Sequence, residues 1–399
     1  MLSTYEFRAV LTTVSHANIC RNCKFHAAIS RALTTPTQYS LQASHSSTQL
    51  PVMASKLLNY TVLPSSHAKP VRMLILHGLL GSHKNWSTIA RTLAKQSDKA
   101  VPIQPILADL RGHGESHGFQ DSKPSTVETL AQDVIQLAQQ EEIDVIVGHS
   151  LGGKVALEMA KQLHAPGSDT PSTRVPLRAV GALDTALGWW DQAQHDTDVD
   201  GVRSVLNFVC AHTPPTGRQA MVDAAKQAGF SDAMASWLTS NLTQVPRADA
   251  SDAEKAAYEA ATPTERRSAP WRWTFDTAMI EPLYQSVLSL ESWDVLESPP
   301  EHVRVWFTSA AQSSRWKLPA MVSRLNAALK LADAAPRTLA SLPQLPADRT
   351  LVHAEQHGAV VHTRIQAGHW VHVEAPSGVL AVLHAMAQDA HARRGAGRS

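Results

Sequence analysis

The chain has 399 residues, of which 36 are Lys or Arg and 35 are Asp or Glu, so its formal net charge is +1 at pH 7. A balance this even favours neither nucleic acid nor a highly charged substrate as a partner. The longest apolar runs fall short of the roughly 20 residues that cross a bilayer, so we expect no transmembrane segment.

Residues 1–50 differ in composition from the rest of the chain. They are rich in Ser and Thr, include four Lys or Arg residues, and contain one acidic residue, Glu6. Such a composition, without a continuous apolar core, is typical of a mitochondrial transit peptide rather than a secretory signal. The alternatives are a disordered tail, or translation from Met53, either of which would leave the protein cytoplasmic.

The three cysteines, Cys20, Cys23 and Cys210, cannot form a disulfide framework, which suits a reducing compartment. Cys20 and Cys23 form a lone C-x-x-C without a second ligand pair at zinc spacing. The 20 histidines include no H-E-x-x-H pattern, so we expect no metal site.

From residue 57 onward, strand and helix patterns alternate. The strand candidates are LNYTVLP, VRMLILHG, VPIQPILADL, DVIVG and RAVGALD. The helix candidates are NWSTIARTLAKQ, TVETLAQDVIQLAQQ and GKVALEMAKQL. This alternation predicts an α/β fold with a mostly parallel sheet, covered by helices on both faces. Ligands of such sheets bind at the carboxyl ends of the strands.

The alternation stops near residue 188 and resumes near residue 302 with HVRVWFTS, VVHTRIQAG and a final helix, SGVLAVLHAMAQDAHARR. The stretch between is helical in propensity and holds six of the ten tryptophans. An insertion between two parallel strands lies over their carboxyl ends, so we interpret residues 188–300 as a helical cap. The whole of residues 55–395 would then be one domain that contains this cap.

Residues 148–152, GHSLG, follow the strand candidate DVIVG and precede a helix. Gly148 and Gly152 flank Ser150 at the spacing of a nucleophile elbow, a strained turn that exposes a serine hydroxyl. The alternative is an ordinary glycine-rich turn. The elbow interpretation therefore requires a base, an acid and oxyanion donors elsewhere in the chain.

The base is predicted in IQAGHWVHVEAP, the loop between the last strand and the last helix. His369 lies there, late in the chain as the order Ser, Asp, His requires. His372 in the same loop is a second candidate. We prefer His369 because it directly follows Gly368 at the end of the strand.

The acid is predicted from two possible loops. The usual place, residues 310–316 after VRVWFTS, holds no Asp or Glu. The end of the strand after the elbow helix provides Asp184, which we predict to be the acid; capping the next helix is its alternative role. Asp294 and Glu301 precede their strand and would lie at its wrong end.

The oxyanion donors are predicted at the end of the strand in LILHGLLGS. Gly78 would let the backbone turn so that the N–H of Leu79 faces Ser150, and the N–H of Leu151 would be the second donor. A plain turn at the end of the strand is the alternative.

A further stretch, ADLRGHGES, contains Asp109, Arg111, His113 and Ser116. An Asp–Arg pair and two glycines suit a tight turn near the site. We therefore predict a structural loop rather than catalytic residues.

The motifs HGLLGS, DLRGHGES, GHSLGGK and AGHWVH occur in the order found in the α/β-hydrolase superfamily, which the chain resembles over residues 55–395. Ser150 in the elbow argues against the branches that use an Asp nucleophile. Within the superfamily, GHSLGGKVAL, WRWTFD and the acid-free loop most resemble the mitochondrial abhydrolase domain-containing protein 11 and yeast ethanol acetyltransferase group. In that group the acid follows the strand after the elbow, which matches Asp184.

These features predict a serine esterase or thioesterase that acts through an acyl-enzyme on small or apolar acyl substrates, without a cofactor. The first alternative is an acetyl-CoA:alcohol O-acetyltransferase with side hydrolysis, for which acetyl-CoA would be the acyl donor. The second is a non-enzymatic ligand-binding protein on the same fold. The sequence carries no signal for an oligomeric state.

Overall fold

The computed structural model describes residues 57–65, 67–96, 101–117, 124–164, 175–188, 201–212, 214, 217–246, 250–333, 337–338 and 350–396. The predicted transit peptide at residues 1–50 lies outside these residues, and so does the C-x-x-C pair within it.

The strands in the described part of the chain form two sheets. These strands are β1 (Tyr60–Val62), β2 (Val71–Leu76), β3 (Ile103–Ala108), β4 (Val145–His149), β5 (Ala179–Leu183), β6 (Leu242–Thr243), β7 (Arg272–Trp273), β8 (Arg304–Ala310), β9 (Arg337–Thr338), β10 (Leu351–His357) and β11 (Val360–Ile365). Nine of them form a sheet in the order β1-β3-β2-β4-β5-β8-β11-β10-β9, while β6 and β7 pair separately.

The central six strands, from β3 to β11 in that order, are parallel to one another. The edge strands β1, β10 and β9 are antiparallel to their neighbours. Every residue of β4 and β5 is buried, because a parallel strand in the middle of a sheet is covered on both faces. This is the physical reason that these strands are continuous apolar runs in the sequence.

Helices cover both faces of the large sheet. Those described are α1 (Ser87–Gln96), α2 (Val127–Gln140), α3 (Leu151–Leu163), α4 (Val202–Ala211), α5 (Arg218–Gln227), α6 (Asp232–Ser240), α7 (Asp252–Ala260), α8 (Pro263–Ser268), α9 (Thr277–Ser289), α10 (Trp293–Glu297), α11 (Pro319–Ala332), α12 (Val371–Glu374) and α13 (Pro376–Ala396). One apolar core includes α2 and α3, and the other, on the opposite face, includes α1 and α13. The predicted fold class is confirmed.

The segment from α4 to α10 joins β5 to β8 and contacts the loops at the carboxyl edge of the sheet. The backbone N–H of Gly114 donates to Thr274 O at 2.6 Å, and the rings of Trp237 and Trp370 lie 4.4 Å apart. Since Gly114 follows β3 and Trp370 follows β11, this segment lies against the edge where ligands bind in such folds.

Helix α11 and strand β10 were not among the sequence predictions. Most residues of β10 are partly exposed, and its side chains show no alternation of apolar and polar residues. An edge strand of this kind leaves no periodic signal to read. Among the described residues, no helix combines the length and apolar content that crossing a bilayer requires.

Candidate active site

The predicted site residues follow four parallel strands that end at one edge of the sheet. Ser150 follows β4, Asp184 follows β5, His369 comes after β11 and Leu79 comes after β2. The carboxyl ends of parallel strands meet at the same edge, so residues more than 200 positions apart in the sequence converge there.

Ser150 occupies a strained turn between β4 and α3. Its backbone angles are φ 52° and ψ −112°, and non-glycine residues rarely adopt a positive φ. A Cβ on Gly148 would overlap the backbone of Gly152, and one on Gly152 would lie 2.6 Å from His77 O. Strand, turn and helix therefore pack too closely for any side chain at the two glycine positions. The N–H of Ser150 donates to Leu183 O at 3.0 Å and holds the turn beside the acid.

His369 and Asp184 form a short hydrogen bond, with Nδ1 and Oδ2 2.7 Å apart. Burial of Asp184 by itself raises the pKa of its carboxyl, but the bond from His369 and the positive charge of Arg315 outweigh burial and hold it below its usual value. The carboxylate is thus ionised and can only accept hydrogen bonds, so His369 Nδ1 carries the proton. In the neutral ring with this tautomer, Nε2 is the acceptor nitrogen and can act as a base.

Three further donors hold Asp184, and all come from residues 310–316. The N–H of Ala310 donates to Oδ1 at 3.0 Å, and Trp316 Nε1 donates to the same oxygen at 2.6 Å. Arg315 Nη1 donates to the backbone oxygen of Asp184 at 2.7 Å. The loop that lacks an acid therefore supplies the groups that hold the acid carried by β5. These donors were not among the sequence predictions, because a backbone N–H and an indole N–H carry no motif that marks them as partners of an acid.

His149 joins the nucleophile turn to the loop of the base. Its Nε2–H donates to the backbone oxygen of His369 at 2.7 Å. Burial, with a smaller effect from the charges of His369 and His372, lowers the pKa of His149 well below its ordinary value. His149 is therefore neutral and adds no positive charge beside the base.

Ser150 is half-buried at this edge, and its N–H is bonded to Leu183, the residue before Asp184. Within the described residues, no hydrogen bond joins Ser150 Oγ to the ring of His369. Catalytic hydrogen bonds are often long in ligand-free enzymes and shorten when substrate binds. The resting site therefore holds the base by its acid rather than by its nucleophile.

The two predicted oxyanion donors have unused N–H groups. In the described part of the chain, neither the N–H of Leu79 nor that of Leu151 donates a hydrogen bond. Leu151 is the first residue of α3, where the helix itself offers no acceptor for its amide. These two amides are available to a ligand oxygen.

Two buried histidines fix the loop that contains Leu79. His77 accepts a hydrogen bond from Leu110 N at 2.9 Å through Nε2 and donates from Nδ1 to Gly78 O at 2.8 Å. His113 Nε2 accepts from Leu80 N at 3.3 Å, where the backbone has a positive φ of 67°. The sequence identified His113 as part of a structural loop, but its contact with the oxyanion loop became apparent only in three dimensions.

The other members of that stretch also lie in structural interactions. Asp109 accepts from His83 N at 2.7 Å and from Glu115 N at 2.9 Å. Arg111 forms a buried pair with Asp133, with both bonds between 2.7 and 2.8 Å. This loop thus braces the turn after β3 against α2.

The competing candidates from the sequence lie elsewhere. His372 stacks on Trp86, with ring centroids 5.0 Å apart, and burial lowers its pKa to about 3. Asp294 pairs with Lys161 at 2.7 Å, and Glu301 is exposed. Among the described residues, no three His, Cys, Asp or Glu side chains are arranged to hold a metal ion.

Comparisons with known proteins agree with this architecture. The alpha/beta hydrolase family matches residues 73–382. The sn-1-specific diacylglycerol lipase ABHD11 of Xenopus laevis is 36% identical over 107 residues, which are 26% of this chain and 32% of the lipase. A probable alcohol acetyltransferase of Cyberlindnera fabianii is 39% identical over 142 residues, 32% of this chain and 36% of that protein. The chain thus covers about a third of the length of each relative.

A solved structure supports the same fold. A marine microorganism esterase superposes with a TM-score of 0.55 at 17% sequence identity, covering 83% of this chain and 99% of the esterase. The resemblance drawn from the motifs, to the superfamily and to the group within it, is confirmed.

Protonation of His372 predicts a pH-dependent stability. Its pKa is about 3 in the folded chain and about 6.5 in an unfolded one. Between these values the unfolded state binds a proton that the folded state does not, so the free energy of unfolding falls as pH falls. The free energy of unfolding of the unsubstituted protein should fall between pH 7 and pH 4.5. In His372→Phe, which keeps an aromatic ring on Trp86, this fall should be smaller by about 2 kcal/mol. Urea unfolding at both pH values measures this change.

The matched control is His302→Phe, because His302 is 88% exposed. This control should lose stability with acid as steeply as the unsubstituted protein. Equal slopes for His372→Phe and the unsubstituted protein would contradict the assignment of a neutral, buried His372.

Proposed function

Because the chain belongs to the alpha/beta hydrolase family, we propose that it is a serine hydrolase that cleaves carboxylic esters or thioesters of small or apolar acyl groups. The observation that carries the proposal is the buried Asp184–His369 hydrogen bond of 2.7 Å, at the same sheet edge as the strained turn of Ser150. A serine hydroxyl needs such a base to become a nucleophile at neutral pH.

In the first half of the reaction, Ser150 Oγ attacks the carbonyl carbon and His369 Nε2 takes its proton. The N–H groups of Leu79 and Leu151 bind the oxyanion that forms, and each donor of this kind lowers the barrier by about 3 to 4 kcal/mol. His369 then donates its proton to the leaving alcohol or thiol, and the acyl group stays on Ser150.

In the second half, an acceptor attacks the acyl-enzyme. His369 takes a proton from the acceptor as its oxygen bonds to the acyl carbon, and returns the proton to Ser150 as the ester to the enzyme breaks. Water as acceptor gives a carboxylic acid. No cofactor enters this sequence of steps.

A second candidate function follows from the relative named a probable alcohol acetyltransferase, which is 39% identical over its matched 142 residues. In this reading acetyl-CoA acylates Ser150 and an alcohol, rather than water, accepts the acetyl group. The two functions share every step except the choice of acceptor, which depends on how far the segment over the site excludes water.

We also propose that the protein is mitochondrial. The support is the composition of residues 1–50, which carry four Lys or Arg residues and one acidic residue. Residues 1–50 fused to a fluorescent reporter should carry it into mitochondria. A reporter that stays in the cytosol would contradict import and favour translation from Met53.

Turnover assays should separate the candidate functions. The purified chain is given a short-chain p-nitrophenyl ester, a diacylglycerol or acetyl-CoA, each with and without ethanol. Acid release that does not depend on ethanol is expected for a hydrolase, whereas ethyl ester formed in proportion to ethanol would favour the transferase. Ser150→Ala should abolish turnover and labelling by a fluorophosphonate while remaining folded. Absence of both turnover and labelling in the unsubstituted chain would instead indicate a ligand-binding protein.

Replacement of the acid should slow the reaction without removing the nucleophile. Asp184→Asn is expected to lower kcat by about 10³- to 10⁴-fold, because an amide no longer holds His369 with its proton on Nδ1. Glu301→Gln, at an exposed carboxylate, is the control and should leave kcat unchanged. A loss of less than tenfold in Asp184→Asn would remove Asp184 from the proposed role.

A further inference from the structure

Lys154 lies on α3 four residues after Ser150, and its side chain is fully buried. Fully buried lysines are rare, because an ammonium group loses its hydration on burial. The steps proposed above do not use Lys154. The proposed mechanism therefore does not explain why a buried lysine lies one helical turn from the nucleophile.

The side chain of Lys154 reaches the segment that carries the acid. Its Nζ donates to Ala186 O at 2.8 Å, two residues after Asp184. A second hydrogen bond has the opposite direction, because Thr185 Oγ1 in the acid segment donates to Ser150 O at 3.1 Å. The nucleophile turn and its helix are thus joined to the acid segment at Thr185 and at Ala186.

The same segment is where the chain leaves the sheet for the helices over the site. Leu187 O accepts a hydrogen bond from Ser292 N at 2.7 Å, in the connection between α9 and α10. Gly188 lies against the carboxylate of Glu291, since a Cβ there would overlap it. Lys154 therefore lies near the place where the nucleophile helix, the acid segment and the overlying segment meet.

Burial and the surrounding charges bring the pKa of Lys154 close to neutral pH. Burial lowers its pKa from 10.5 to about 7. Glu291, Glu158 and Asp294 oppose this effect by attracting the ammonium, and Arg315 adds to it by repulsion. Near pH 7, then, both the charged and the neutral forms of Lys154 are populated.

A charged Lys154 does not stabilise the fold. Its folded pKa of about 7 lies below the value of about 10.4 for an unfolded chain. Between those values the unfolded state binds a proton that the folded state does not, so the free energy of unfolding increases with pH. An apolar side chain of similar length would avoid the cost of burying the charge. Lys154 therefore contributes through the positions of the groups that it binds and not through stability.

We propose that Lys154 is a positioning residue, whose buried ammonium fixes Ala186 O and with it the segment of Asp184, so that the acid keeps His369 directed at Ser150. This inference rests on the proposed serine hydrolase function. It adds to that function a residue that touches neither substrate nor the reacting atoms.

The first test removes the charge. Lys154→Met should lower kcat for the p-nitrophenyl ester about tenfold, because small displacements of catalytic groups cost rate, while KM stays within about twofold and the thermal midpoint is unchanged or higher. Lys161→Met, on the exposed side of the same helix, is the control and should keep its kcat. An unchanged kcat in Lys154→Met, or a loss of kcat that follows a lower thermal midpoint, would overturn the proposal.

The second test is the pH profile, which a merely structural lysine would not alter. In the unsubstituted chain, kcat should fall as pH rises above about 7, where Lys154 loses its proton and its bond to Ala186 weakens. Because the side chain of Lys154→Arg stays charged, the kcat of this variant should not decrease over the same pH range. Glu291→Gln removes a charge that favours the ammonium and should move the fall to lower pH. Identical profiles in the unsubstituted chain and Glu291→Gln would contradict the proposal even if Lys154→Arg does not fold.

A third readout separates this inference from the proposed function. The low-field proton NMR resonance of the Asp184–His369 hydrogen bond needs no turnover. It should shift or broaden in Lys154→Met and remain in place in Lys161→Met. The proposed function fails if the unsubstituted chain neither turns over esters nor reacts with a fluorophosphonate. Independently of that result, an unchanged resonance in Lys154→Met would overturn the positioning role of Lys154.

Discussion

The buried carboxylate of Asp184 is the constraint on which the rest of the site depends. A charge with no exposure to water is tolerated only where hydrogen bonds replace its hydration. Here His369, Ala310 and Trp316 donate to its two oxygens, and Arg315 holds its backbone. Each donor lies on a different element from the acid. The position of the histidine is thus set by the ends of three neighbouring strands.

The imidazoles around this pair behave as neutral hydrogen-bonding groups. Burial lowers the pKa of His77, His113 and His149 below the ordinary value, so each ring has one N–H donor and one acceptor. His77 and His113 use this to hold the loop of Leu79, and His149 to hold the backbone of His369. Neutral rings orient the site without a fixed positive charge that would oppose protonation of His369.

In the proposed function, the segment over the site controls which acceptor reaches the acyl-enzyme. Its Trp237 contacts Trp370 in the loop of the base, and its Ser292 N donates to Leu187 O near the acid. A diacylglycerol lipase and a probable alcohol acetyltransferase are both similar to parts of this chain. Since one acyl-enzyme serves hydrolysis and transfer alike, we expect such differences to arise from the access of water and alcohol rather than from the acid and base.

The sequence by itself determined the parallel α/β order, the turn at Ser150, and the strand ends that carry Asp184 and His369. These depend on local patterns: apolar runs of buried strands, glycine spacing, and chain order. Only the tertiary structure decided that residues 310–316 supply donors to Asp184 and that Lys154 is buried. The half-exposed strand β10 also went unpredicted. These features depend on contacts between residues far apart in the chain. Close packing and the loss of water decide which polar groups meet there. The local spacing of residues in the sequence does not encode these contacts.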